Sequence, residues 1–298
     1  MPLGFWWNGR RCRFPTPHLI YGVNYADILG LRLRVRWKQK AEIALENPVL
    51  LVGFPDVGFV GKQAVDYLVS QVKPVLLYEA YSPHFPPQII ISRDGLIEVL
   101  RCQLYGWKNP GEGRSLLIFT GNAQPVSPEG QHVMAMELLS LAEKYGVKEV
   151  YSLTGHLVEY RPPEKEPTVY AAATSPDLLN KLKGFFGISV LEKGRIEGLQ
   201  GLVLAEAKIK GLQAACLMAE TPGYSTPSGR PLVDAKASRV LLQILNSLLG
   251  LNIDLSGLER QVALTEEFME KLAELEQKVL EQVLRPGKPP EKEKQYYV

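Results

Sequence analysis

Asn47 to Leu68 reads "NPVLLVGFPDVGFVGKQAVDYL": a short apolar run, a turn studded with glycines, then a helical repeat. An uninterrupted run of this kind suits a strand buried on both faces, because a half-exposed strand would alternate apolar with polar side chains. The same texture returns in "PVLLYEA" (74–80), "SLLIFTG" (115–121), "KEVYSL" (148–153) and "QAACLMAE" (213–220). Amphipathic stretches over 60–69, 128–146 and 234–250 lie between or after these runs. Short strands alternating with helices predict an α/β fold: a three-layer sandwich with a mostly parallel, mixed sheet and right-handed crossovers. The helix at 128–146 has an explicit start and stop, with Ser127 as cap, Pro128 in the first turn and Gly146 after the last.

Working outward, "QIIISRDGLIEVLRCQLY" (88–105) holds two β-rich runs joined near Asp94 and Gly95, which predicts an antiparallel hairpin at a sheet edge. After 252 the texture changes to one long helix. Ser256 with Glu259 three residues on predicts a capping box, and Leu264, Phe268, Leu272, Leu275 and Val279 mark one apolar stripe. This C-terminal helical extension, 253–285, holds a helix of roughly 30 residues, about 45 Å long at 1.5 Å per residue. The stripe either packs on the sheet domain or pairs with copies of itself as a short coiled coil; the densely charged other face favours the second, an oligomerisation surface. Residues 286–298, "PGKPPEKEKQYYV", cannot form a core and read as a flexible tail. The chain thus divides into an arm (1–40), an α/β domain (41–252), the helix and the tail.

Residues 1–40 carry three of the four tryptophans, eight basic residues and a single acid, Asp27. Basic residues interleaved with aromatics can stack on single-stranded nucleic acid. The first half of the arm lacks any regular period, however, and the whole chain has a formal net charge of only +2, which argues against a nucleic-acid partner. The arm reads instead as a loose, disordered extension or as a start assigned too far upstream. Cys12, Cys102 and Cys216 are odd in number and widely spaced, giving neither a disulfide framework nor a zinc pattern. No apolar stretch approaches the roughly 18 residues of a membrane span. The expectation is a cytoplasmic protein with no membrane partner.

Three features invite a chemical reading. The first is the turn Gly53, Pro55, Asp56, Gly58, Gly61, placed where a dinucleotide-binding turn would lie. The G-x-G-x-x-G pattern needs glycine at Asp56, and a carboxylate there repels the pyrophosphate. A Walker loop starting at Gly53 would need Lys-Ser/Thr at Phe59 and Val60. These residues therefore read as a structural turn, with no cofactor. The second is a set of polar residues at carboxyl ends of strands, Asp56, Glu79, Asn122, His156 and Glu220, where open α/β sheets place ligands. They define a candidate pocket and an alternative function, a small-molecule or nucleotide-binding enzyme. No nucleophile elbow, metal-ligand spacing or other catalytic constellation accompanies them, so no catalytic residue and no metal site is assigned. The third is the end of the chain, Tyr296, Tyr297 and Val298. A hydrophobic-Tyr-X terminus arises by chance in about 2% of ends of this composition, which makes it the sharper signal. Two rings and an α-carboxylate suit an apolar groove with a cation or backbone nest at its end.

Taken in order, "NPVLLVGFPDVGFVGKQAVDYL", "PPQIIISRDGLIEVL", "LLIFTGNAQP", "YGVKEVYSLTGH", "VYAAATSPDLL", "GLQGLVLAEAKIKGLQAACLMAETPGY" and "LLGLNIDLSGLE" resemble the proteasome assembly chaperone family, in particular its archaeal members. The resemblance spans about Pro48 to Glu259 and rests on order and spacing more than on any one motif. Asp56 departs from the glycine often found in that first turn, and residues 1–40 lie outside the likeness. What the resemblance implies is an α/β sandwich, a homo-oligomer, and binding to the α-subunits of the proteasome core particle in assembly or activation, without ATP. It also implies a role for the tail, since "YYV" is similar to the terminus by which proteasome activators dock between neighbouring α-subunits. Tyr296 would be the hydrophobic residue, Tyr297 the defining ring, and Val298 the carboxylate donor to a pocket lysine.

Overall fold

The computed structural model describes residues 34–284 except 163, 186, 227 and 228, together with 5–7 and 10–12; for 5–7, 10–12, 270, 272–274 and 276–284 it describes the backbone alone. Two three-residue strands, β1 (Phe5–Trp7) and β2 (Arg10–Cys12), pair with each other and, among the described residues, with no other strand. The main sheet takes strands β3 (Arg36–Gln39), β4 (Val49–Gly53), β5 (Val75–Tyr81), β8 (Cys102–Trp107), β9 (Leu116–Gly121), β10 (Glu149–Leu157), β11 (Val169–Ala173), β12 (Ile188–Val190) and β13 (Gln213–Thr221). Its order is β12-β11-β13-β10-β4-β9-β8-β5-β3. The centre, β13-β10-β4-β9, is parallel, while β11 pairs antiparallel with β13, β8 with β9, β5 with β8 and β3 with β5. Edge strand β3 lies inside the stretch assigned to the arm. Val35 and Trp37 alternate with Arg34, Arg36 and Lys38, a period of two that only a half-buried strand satisfies.

The apolar runs are continuous because the central strands bury both faces. In β4, Val49 and Leu51 face one core while Leu50 and Val52 face the other, all four fully buried. Helices α1 (Val60–Val72), α3 (Pro176–Lys183) and α5 (Ala235–Leu249) cover the first core; α2 (Pro128–Lys144) and α4 (Gly198–Ile209) cover the second. Three layers result, as expected. Ser127 caps α2 by accepting from the Gly130 N–H at 3.1 Å.

The long helix α6 (Ser256–Leu284) is present, with a different start. Ser256 does not form the expected reciprocal box. Asp254 accepts from the Ser256 N–H at 2.9 Å and from its hydroxyl at 2.8 Å, so the acid two residues upstream has taken the capping role. Leu258 and Val262 are buried in the first core, and the Lys236–Glu266 pair at 3.0 Å ties α6 to the first turn of α5. α6 therefore runs antiparallel to α5, and residues 267–284 extend about 27 Å past it at 1.5 Å per residue. Leu264, just before that length, and Phe268 and Leu275 within it, all of the apolar stripe, face solvent, the last 58% exposed. Among the described residues, no helix is long and apolar enough to cross a membrane.

Candidate functional site

The turn after β4 is closed by its own side chains. Gly58 takes a left-handed conformation (φ 62°), open to glycine at little cost. A Cβ on Gly61 would meet the Leu153 carbonyl oxygen at 2.0 Å, so only glycine lets α1 approach β10 this closely. Gly53 ends β4 opposite Leu153 and Thr120, and the Pro55 carbonyl accepts from Gln124 at 3.3 Å. Asp56 Oδ2 then accepts from the Gly61 N–H at 3.2 Å and the Gly155 N–H at 2.7 Å. The carboxylate sits where the N–H groups at the start of α1 would cradle a phosphate, so the chain supplies its own anion. Burial pushes the Asp56 carboxyl up to about 6, against the pull of those two N–H groups. Its other oxygen, Oδ1, is buried without a hydrogen-bond partner among the described residues.

The five candidate pocket residues share the carboxyl edge of the sheet and divide into three separate groups. His156 packs on the Tyr170 ring, centroids 4.9 Å apart. The Tyr170 hydroxyl donates to Glu220 at 3.0 Å, and the Thr168 N–H and Lys165 also reach that carboxylate. Burial opposes Glu220's ionisation, and these three donors outweigh it, holding its carboxyl below the usual range. Glu79 belongs to a second group, with Lys40 at 2.8 Å, Tyr81 at 2.9 Å and Arg101 at 3.5 Å; the hydrogen bond from Lys40 does most to hold it ionised. Asn122 neighbours that group, accepting from the Arg101 N–H at 2.8 Å and donating to the Val99 carbonyl at 3.4 Å. Four strand spacings, about 19 Å, separate β10 from β5. His156 and Glu79 thus serve different neighbourhoods, and Asp56 forms the third group, alone in its turn.

Two residues that sequence reasoning missed stitch this edge together. Arg161 and Asp234 pair at 3.0 Å with both side chains 2% exposed. Arg161 also donates to the Glu220 carbonyl, while Asp234 caps α5 through the Ala237 N–H at 2.9 Å and donates its own N–H to the Gly58 carbonyl at 2.8 Å. The signal available was an Asp before a helix in "VDAK"; nothing in the sequence marked Arg161 as its partner. A cleft of about 670 Å³ opens beside the pair, against α6, with Tyr160, Tyr224, Val262 and Met269 in its walls. None of the five candidate pocket residues lines it. No group of three or more potential metal ligands occurs among the described residues. Tyr296, Tyr297 and Val298 lie outside the described residues.

The fold and its edge define a class: a three-layer α/β sandwich whose phosphate-type turn is filled from within. The PAC2 family model matches residues 50–273, and the chain belongs to the PAC2 family. The crystal structure of Pyrococcus furiosus PbaB, described as an archaeal proteasome activator, superposes with a TM-score of 0.73 at 31% identity, covering 81% of this chain and 100% of that one. P. furiosus PbaA, described as an archaeal homologue of proteasome-assembly chaperone, shares the fold at TM-score 0.65 and 24% identity, over 85% of this chain and 97% of its own. A Methanocaldococcus jannaschii protein described as uncharacterized, MJ1210, is 34% identical over 258 residues, 85% of this chain and 93% of that protein.

Proposed function

We propose that this protein is an ATP-independent assembly chaperone or activator of the proteasome, acting in the cytoplasm with no catalytic residue of its own. It binds core-particle α-subunits by seating Tyr296, Tyr297 and Val298 in pockets between them. The observation that carries this reading is the 31% identity to an archaeal proteasome activator across all of that chain. The direction of α6 supports it. The helix leaves the body past the carboxyl edge, and the thirteen residues Pro286–Val298 then reach up to about 45 Å. Docking the two rings buries apolar surface, and the terminal carboxylate gains a cation. One tail binds weakly; several, held together by copies of α6 meeting along Leu264, Phe268 and Leu275, gain by effective concentration. The internal carboxylate at Asp56 argues against the alternative, a nucleotide-binding enzyme, at that turn.

The test is size-exclusion co-elution with core particles and, separately, with free α-subunits, for the full chain and for a chain lacking Tyr296–Val298. Tail-dependent co-elution is expected, with affinity falling at least tenfold on deletion while fold and oligomer persist. Undiminished binding by the shortened chain would sink the docking role.

A further inference from the structure

The largest feature left unexplained is the excursion between β5 and β8. Among the described residues, strands β6 (Ile89–Ile91) and β7 (Ile97–Val99) pair antiparallel and belong to no larger sheet. Register places Ile89, Ile91, Ile97 and Val99 on one face and Ile90 with Glu98 on the other. Every one of the aliphatic side chains is exposed, from 36% at Ile90 to 69% at Ile91, and Leu96 in the turn is 65% exposed. An isolated two-stranded hairpin is marginal in water, and an aliphatic patch of several hundred Å² is the largest a monomer usually shows. The roots are nonetheless fixed. Asn122 holds the Val99 and Arg101 backbone, and His84 Nδ1 lies 2.6 Å from the Ser127 hydroxyl at the start of α2. The hairpin is held out, not tucked in.

Beside it runs a groove of about 970 Å³. Trp37, Tyr81, Phe85 and Leu100 line it together with the cations Arg34, Arg36 and Lys38. Val99 belongs to both features, so hairpin and groove are contiguous. We infer that this composite surface is a contact between two copies of this chain, each placing its hairpin in the groove of the other about a twofold axis. A twofold interface must be self-complementary, with the same patch donating and accepting. This patch supplies both halves: an aliphatic blade whose turn and strands carry Arg93, Asp94 and Glu98, one net negative charge, and an aromatic-lined slot with three cations, Arg34, Arg36 and Lys38. The open backbone edges of β6 and β7 are also left for a partner to cover. The inference stands independently of the proteasome reading and is distinct from any contact through α6.

The experiment compares the full chain with an Ile91→Asp/Ile97→Asp variant by light scattering at equal concentration. The wild type is expected at two or more chains and the variant at half that mass or less, with unchanged circular dichroism because both side chains are about two-thirds exposed. A second measurement needs no disruption. One copy carries Ser82→Cys and another Ile97→Cys, both with Cys12→Ser; the native Cys102 and Cys216 are buried. A disulfide joining the two differently tagged copies is expected under mild oxidation. A monomeric wild type, an unchanged variant mass, or no mixed disulfide each overturns the proposal. A variant that keeps its mass but loses core-particle binding also overturns it, assigning the blade to a proteasome subunit.

Discussion

The turn after β4 and the hairpin after β5 leave the same edge of one sheet, and they are finished in opposite ways. The turn folds inward, and its backbone groups find partners in the chain: the Gly61 and Gly155 N–H groups on Asp56 Oδ2, the Gly58 carbonyl on the Asp234 N–H. The hairpin goes outward with its roots pinned and its aliphatic face bare. Backbone donors that are already satisfied leave nothing to attract a ligand, whereas apolar surface in water is a driving force awaiting a second surface. The comparison teaches where this molecule has been closed and where it has been left for company.

Variants at the Arg161–Asp234 pair, at Gly61 and at Asp56 bear on the closed half. The largest effect is expected from Asp234→Ala, which strands a buried Arg161 charge; unfolding should lose on the order of 4 kcal/mol, read as a lower denaturant midpoint. Arg161→Met/Asp234→Leu together should recover most of that loss. A double variant as unstable as the single one would show that the pair is not what joins these loops. Next, Gly61→Ala forces a methyl group against the Leu153 carbonyl and should cost about 3 kcal/mol; a chain that melts unchanged would mean α1 is free to shift away from β10.

The smallest effect concerns pH. The folded Asp56 carboxyl, at about 6, lies above its unfolded value of 3.8, so the folded state holds more protons between these values. Stability from this group is full below about 4 and is lost as pH rises through 6. Asp56→Asn keeps an acceptor for the two N–H groups and removes the charge. It should stabilise the protein by roughly 2 kcal/mol at pH 7.5 and flatten this part of the pH profile. An unaltered profile would mean that solvent reaches Asp56 freely, and the turn would be less closed than its geometry indicates.

The central strands were legible in sequence because burial on both faces leaves a one-dimensional trace, an unbroken apolar run such as Leu116–Phe119. β3 was harder to see, since its charged half resembles a basic arm and only the alternation of Val35 and Trp37 betrays it. The hairpin showed in its turn, but its isolation from the main sheet depends on what lies beside it in space. Candidate residues on the carboxyl edge were placed on the correct side of the sheet. Their division into three groups depends on strand order: β4, β9 and β8 stand between His156 and Glu79, and sequence adjacency carries no record of that. The Arg161–Asp234 pair was illegible for the same reason, joining residues 73 positions apart.

The carboxylate at Asp56 has one more consequence. Related-looking turns in nucleotide-dependent machines change shape as phosphates arrive and leave, so their activity follows the cell's energy supply. A turn whose anion is covalently part of the chain has no such input. Its geometry is set by the chain itself, because the Gly61 and Gly155 N–H groups already hold the Asp56 carboxylate.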